Sequence, residues 1–152
     1  MRIRKATNKD KEKAIQIAKE LKEWFNKTAI KNMKIDFKVN NLVVALEKGK
    51  VVGFLCYNSY EGFLKIVWIG VKKEYHRKGV GTKLLNWLEK EAKKLKVEAI
   101  EVETLTDREN YEPYEATRNF YYKHGFKKLY ELKPRKKDWD VQILLEKKIE
   151  DE

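Results

Sequence analysis

Residues Val71 to Thr82 read V-K-K-E-Y-H-R-K-G-V-G-T and concentrate groups able to bind an anion. A β-branched apolar run, Ile66 to Val71, leads in. Leu84, Leu85, Leu88, Ala92 and Leu95 follow at helical spacing. Strand, glycine-bearing turn and helix in that order aim several backbone N–H groups and the positive end of a helix dipole at one point, as a phosphate or pyrophosphate requires. Gly79 and Gly81 let the backbone approach a ligand with no Cβ in the way. His76, Arg77 and Lys78 add charge or donors there. The stretch is not G-x-x-x-x-G-K-[ST], because Lys83 does not follow a glycine, and it is not G-x-G-x-x-G, because position 84 is Leu. A tight strand-to-helix turn on a basic surface has the same letters, so this segment alone leaves both readings open.

A second segment, Ala116 to Phe126, reads A-T-R-N-F-Y-Y-K-H-G-F. Together the two resemble the Gcn5-related N-acetyltransferase (GNAT) family. Its acetyl-CoA loop, [Q/R]-x-x-G-x-[G/A], corresponds to His76-Arg77-Lys78-Gly79-Val80-Gly81. Its later signature, an aromatic-Tyr pair followed by Gly-Phe, corresponds to Phe120-Tyr121 and Gly125-Phe126. Arg2 to Thr7 also resembles the family's opening strand. The resemblance covers nearly the whole chain and is strongest from about Leu42 to Phe126.

The resemblance implies an α/β fold in one domain spanning residues 1–152. The expected sheet is mixed, twisted and mostly antiparallel, with six to seven strands flanked by about four helices. A V-shaped splay between strands 4 and 5 would take the pantetheine arm. The implied activity is acetyl transfer from acetyl-CoA to a primary amine by direct attack in a ternary complex. Backbone groups of Ile69, Gly70 and Val71 would hold the pantetheine and polarise the thioester. The pyrophosphate would sit on Arg77 to Thr82, with His76 beside it, so the cofactor set is Ile69, Gly70, Val71, His76, Arg77, Lys78, Gly79, Val80, Gly81 and Thr82. Tyr121 would protonate the leaving thiolate; Tyr122, about 100° further round the helix, is the weaker candidate.

Three positions depart from the family pattern. His76 replaces the usual Gln or Arg. Tyr114 stands where many relatives carry an Asn that contacts CoA. Lys65 stands where histone-type members carry a glutamate base, and a lysine is a poor base unless strongly desolvated. Glu103 is the alternative for that role, because strand alternation puts Glu101 and Glu103 on one face and Ile100, Val102 and Thr104 on the other. An exposed strand charge reads the same way, and Asp107 and Glu109 are further options.

The elements that must position these groups can be read in outline. Arg2 to Ala6 is a strand, and Thr7 with Asp10 resembles a capping box. Helix 1 runs to about Phe25. Thr28 to Phe37 is less regular and reads as a short second helix and a loop. Leu42–Glu47 and Val51–Tyr57 form a hairpin around Lys48-Gly49. Phe63–Val71, Ala99–Thr104, Lys127–Leu132 and Asp140–Lys147 are strands, the last two antiparallel around a basic turn at Pro134 to Lys137. Gly81–Lys94 is a helix, and Pro113 starts another that ends at Gly125. The acceptor site is expected along helix 1, the segment after it and the basic C-terminal turn, with Trp24, Phe25, Tyr57, Trp68 and Trp139 as aromatic candidates.

Composition sets bounds. The chain has 152 residues, the size of one domain. There is no apolar run of membrane-spanning length and no signal-peptide core, so a cytoplasmic protein with no membrane partner is expected. One cysteine and two histidines, in separate motifs, argue against a disulfide or a metal site. Cys56 in its apolar run reads as a buried small hydrophobe. The net charge of +11 comes from residues spread along the chain and mixed with 24 acidic ones. That pattern resembles a thermophile-like, ion-paired surface more than a nucleic-acid site. It weighs mildly against a polycationic acceptor, since like charges repel. Two alternatives stay open, an acetyl-CoA-binding sensor with little turnover and a basic nucleic-acid-binding protein. The amine is unassigned, and a homodimer is left open.

Overall fold

The computed structural model describes residues 1–106, 111–134 and 140–150. Among these residues seven strands make one sheet: β1 (Arg2–Lys5), β2 (Asn41–Glu47), β3 (Lys50–Tyr60), β4 (Phe63–Val71), β5 (Ala99–Leu105), β6 (Lys127–Leu132) and β7 (Gln142–Lys148). Their order is β1-β2-β3-β4-β5-β7-β6. Four helices flank them: α1 (Asn8–Glu20), α2 (Lys27–Val39), α3 (Val80–Leu95) and α4 (Glu112–Lys123). All neighbours are antiparallel except β4 and β5. The expected mixed, mostly antiparallel sheet with four helices is what forms.

Local chemistry sets the first turn. Thr7 Oγ1 accepts the Asp10 N–H at 3.2 Å, and Asp10 Oδ2 accepts the Thr7 N–H at 2.8 Å. The Arg4 guanidinium pairs with the same carboxylate. Burial works to raise the Asp10 carboxyl, but the bonds from Arg4 and Thr7 outweigh it and hold the group below its usual value. α1 ends at Glu20 rather than near Phe25, because Leu21 leaves helical geometry at φ −95°, ψ 59°. α2 is a full thirteen-residue helix where a short helix and a loop were expected. Asn26 caps it by accepting the Ala29 N–H at 2.8 Å, and Ile30, Met33 and Phe37 face the core.

The sheet has two apolar faces. α1 and α2 cover one, with Ala14, Ile17, Met33 and Phe37 against Leu42, Val44, Phe54 and Cys56. α3 and α4 cover the other, with Leu84, Leu88 and Tyr121 against Leu55, Ile66, Val102 and Ile143. Burial pushes the Cys56 thiol up to about 12, so it behaves as the apolar residue its surroundings predict. The α3 stripe stops at Ala92, since Leu95 is 57% exposed. No described helix is long and apolar enough to cross a membrane.

Two irregularities matter for function. β4 and β5 pair at only three positions, Leu64↔Ile100, Lys65↔Glu101 and Ile66↔Val102. Beyond Ile66 the edge of β4 facing β5 has no strand partner among the described residues. At the same level β4 carries a bulge: Cys56 opposes Trp68 and Tyr57 opposes Ile66, which leaves Val67 as the extra residue.

Candidate active site

The anion-binding segment forms at the end of β4. A single 3-10 turn, Lys73–Tyr75, leads from the strand to α3. Gly79 caps the helix in left-handed geometry, φ 81° and ψ 10°. No side chain caps it. Lys83 N–H closes the first turn on the Gly79 carbonyl at 3.0 Å, so the N–H groups of Gly79 to Thr82 have no acceptor within the helix. Arg77, Lys78 and Gly79 are exposed beside them.

The two glycines have different tasks. A Cβ on Gly79 would meet nothing within 4 Å, and its positive φ is what calls for glycine. A Cβ on Gly81 would come within 3.1 Å of the Phe120 ring, so Gly81 lets α4 pack closely on α3. Gly70 is likewise a packing position: its Cβ would lie 2.6 Å from the Phe54 ring. Val80 is buried in the core. Thr82 Oγ1 lies 3.0 Å from His124 Nε2. Burial, with Lys147 and Lys123 nearby, lowers the pKa of His124.

The β4 edge carries Ile69, Gly70 and Val71. Lys72 N–H donates to Val52 at 2.8 Å, so by ladder alternation Val71 turns its own carbonyl toward the splay. His76 Nε2 donates to that carbonyl at 2.7 Å. The His76 ring meets the Trp24 ring edge to face, centroids 5.6 Å apart. Trp24 Nε1 donates to Pro113 O and Thr117 Oγ1, both at 3.2 Å. Tyr114 donates to Trp24 O at 2.9 Å, and Tyr111 to Glu23 O at 2.7 Å. The α1–α2 connection is thereby bracketed to the start of α4.

Tyr121 lies among Phe120, Phe126 and the α3-side core, with 2% of its surface exposed. Its hydroxyl has no hydrogen-bond partner among the described residues. No described side-chain polar atom is both sealed from solvent and unpaired, so the phenol tip keeps contact with solvent. Burial raises its pKa well above that of a free phenol. Tyr122 is 37% exposed.

On the opposite face, next to the point where β4 and β5 part, lies a cavity of about 750 Å³. Asn58, Tyr60, Phe63, Lys65, Glu101 and Glu103 are among its lining residues. Glu101 and Glu103 do share a face, opposite Ile100 and Val102. Lys65 Nζ donates to Glu103 Oε1 at 2.9 Å. Burial raises the Glu101 carboxyl, and Glu146 adds to the shift. Of the expected aromatic candidates among the described residues, none lines this cavity. Tyr57 packs near Trp87 in the α3-side core. Trp68 donates to Asp36 Oδ2 at 2.7 Å on the α1–α2 side, where Phe25 meets it. Trp24 belongs to the bracket. Trp139, Asp107, Glu109 and most of the basic turn lie outside the described residues. Among the described residues, the charged lining is three carboxylates, Glu61, Glu101 and Glu103, against the one ammonium of Lys65. That local sign is opposite to the chain's overall charge of +11.

Sequence reasoning did not anticipate the Trp24–Tyr114 bracket or the buried Arg118, whose Nη1 donates to Leu105 O and Thr106 O at 3.1 Å each. Arg118 thereby ties α4 to the end of β5. No group of described His, Cys, Asp and Glu residues has the arrangement of a metal site.

Residues 38–128 match the family model for the acetyltransferase (GNAT) domain. The chain belongs to that family. Among curated protein sequences no relative matches. Similar solved structures include a GNAT-family protein from Desulfovibrio desulfuricans, with TM-score 0.82 and 20% identity over 98% of this chain and 99% of that one. The ribosomal-protein-S18-alanine N-acetyltransferase of Escherichia coli has TM-score 0.78 and 19% identity, covering 97% and 93%. A PaiA N-acetyltransferase from Thermoplasma acidophilum, solved with coenzyme A, has TM-score 0.75 and 21% identity, covering 97% and 98%. At these identities the likeness is one of fold.

Proposed function

We propose that this chain transfers an acetyl group from acetyl-CoA to a primary amine by direct attack within a ternary complex. The observation that carries this reading is the parting of β4 from β5 after three paired positions, on the strand that leads through the Lys73–Tyr75 turn to the uncapped α3 N-terminus. An unpaired strand edge offers backbone donors and acceptors to the pantetheine amides, and the helix end offers N–H groups to the pyrophosphate.

On this reading the β4 edge from Ile69 to Val71 holds the pantetheine and places a backbone N–H where the thioester oxygen gains charge. Arg77 to Thr82 hold the pyrophosphate through backbone N–H groups, with Arg77 and Lys78 adding charge. The acceptor enters through the cavity on the other face. Its ammonium must lose a proton before attack, and Glu103 is the carboxylate at the parting point able to take it. The departing thiolate needs a proton in turn, which Tyr121 supplies. Its raised pKa keeps the phenol protonated across the working range, and its unpartnered hydroxyl leaves a donor available. The acidic lining suits an amine acceptor that carries positive charge.

Calorimetric titration with acetyl-CoA, using ATP as the control for generic anion binding, tests the cofactor half. Selective micromolar binding is expected. Equal binding of ATP would reduce the Gly79–Gly81 loop to a basic turn. Release of free CoA thiol over a panel of amines then tests turnover, and tight acetyl-CoA binding without turnover would favour a sensor.

A further inference from the structure

We propose that Lys65 is itself an acetylation site, modified by intramolecular transfer from acetyl-CoA bound in the β4–β5 splay; this rests on the acetyltransferase reading above. Lys65 is the middle of the three β4 residues that pair with β5 before the strands part. Its ladder partner is Glu101, yet its ammonium reaches past Glu101 to Glu103, 2.9 Å away. The ion pair therefore runs diagonally from the level of Lys65 toward the first level of the splay, that of Val67 and Glu103. From there Ile69 lies roughly 7 Å along the strand, at about 3.3 Å per residue. Both side chains are accessible from the cavity, 36% exposed for Lys65 and 40% for Glu103.

Every component of an acceptor site is thus met by a residue of the chain. A primary amine stands at the parting point. A carboxylate lies within the distance a general base requires. The tether replaces the encounter of a second molecule, and effective molarity favours such a reaction. Glu103 takes one proton from the Lys65 ammonium, and the freed lone pair attacks the thioester carbonyl carbon. The N–C bond forms, the C–S bond breaks, and a neutral amide remains on Lys65. Of the two protons the ammonium loses, one ends on the CoA sulfur and one is released to solvent. The amide no longer ion-pairs with Glu103, so the modification frees that carboxylate and leaves the described cavity lining with carboxylates as its only charged groups. Self-acetylation would thereby prepare the cavity for a cationic amine.

The test is peptide mass mapping of the full chain after incubation with acetyl-CoA and no acceptor, with acetyl phosphate as a donor that lacks the CoA moiety. The expected result is one acetyl group on Lys65, formed at a rate independent of protein concentration and not reproduced by acetyl phosphate. Lys65→Arg should abolish that mark while still binding acetyl-CoA, and Glu103→Gln should slow it about tenfold or more. Calorimetry on the same samples separates the two ways of failing. Acetyl-CoA binding with Lys65 unmodified, or modified no faster than the exposed Lys9 and Lys48, overturns the inference and leaves the acetyltransferase reading intact. No acetyl-CoA binding removes both.

Discussion

Replacing Gly79 by Asp and by Asn isolates the charge of whatever binds at the α3 N-terminus. Nothing stands within 4 Å of a Cβ at this position, so neither side chain meets a clash. Both must adopt φ near +81°, a conformation that costs an ordinary L-residue about 1–2 kcal/mol and is tolerated best by Asn and Asp. That cost is nearly common to the pair and cancels in the comparison. What remains is one carboxylate beside the N–H groups of Gly79 to Thr82. Two unit charges 4 Å apart interact by about 1 kcal/mol in water and about 4 kcal/mol at the effective dielectric of a protein surface. A pyrophosphate seated on those N–H groups should therefore bind the Asp variant about 2–4 kcal/mol more weakly than the Asn variant, roughly 30- to 1000-fold in Kd. Titration calorimetry with acetyl-CoA at about 0.1 M and 1 M salt reads this directly. The gap should shrink at high salt, where the screening length falls from about 10 Å to about 3 Å. Thermal melts control for folding. Asp and Asn variants that bind within about threefold of each other at low salt would show that no anion sits against this helix end.

Tyr121→Phe should lower the acetylation rate by about a hundredfold or more with little change in acetyl-CoA affinity; because no described residue bonds the hydroxyl, the melting temperature should hardly move, and an unchanged rate would remove Tyr121 as the acid. Gly70→Ala sets a methyl 2.6 Å from the fully buried Phe54 ring. It should cost about 1–3 kcal/mol, or about 2–12 °C in Tm for a chain of this length; a wild-type melt would mean that β4 can shift freely. Asp10→Asn should cost about 1–2 kcal/mol at neutral pH by weakening the cap and the Arg4 pair. The folded Asp10 carboxyl lies below the ordinary aspartate value of 3.8. Its contribution is therefore complete above that value and is lost as pH falls through the folded value. The wild-type advantage in a melt should vanish in that acid range, and a constant gap down to the lowest pH would contradict the assignment.

Features set by neighbours in sequence were the legible ones. β4 spans Phe63–Val71 as its apolar run predicts, the Lys48-Gly49 hairpin forms with both residues at positive φ, and the Thr7–Asp10 box closes as its spacing predicts. Errors arose where tertiary packing extends an apolar pattern beyond its element. Leu21 is buried and Phe25 half-buried although α1 has ended, because the following turn packs them into the same core. α2 looked irregular because Ile35 and Val39 are 55% and 77% exposed and blur the stripe of Ile30, Met33 and Phe37. At the site, strand alternation was enough to place Glu101 and Glu103 on one face. It did not reveal the ion partner of Glu103, since Lys65 is 38 residues away in sequence. The roles of the two glycines separate only when Phe120 is seen against Gly81.

His76 and Tyr114 look like unrelated departures from the family pattern, 38 positions apart in the chain. The structure makes them parts of one bracket. Tyr114 holds the Trp24 carbonyl, Trp24 presents its ring to His76, and His76 occupies the Val71 carbonyl on the open edge of β4. A substrate amide that donates to Val71 either takes the second lone pair of that carbonyl or displaces the imidazole. A net hydrogen bond is worth about 0.5–1.5 kcal/mol, so displacement weakens binding by at most about tenfold. The substrate amide regains a bond of the same kind, which offsets most of that. Val71 thus keeps a donor whether or not the pantetheine is present, and the strand edge never has to bury an unpaired carbonyl as the splay fills. A glutamine or arginine at position 76 would lack the ring that meets Trp24. The histidine and the tyrosine therefore make sense together: one supplies the stand-in donor, and the other fixes the tryptophan that holds it in place.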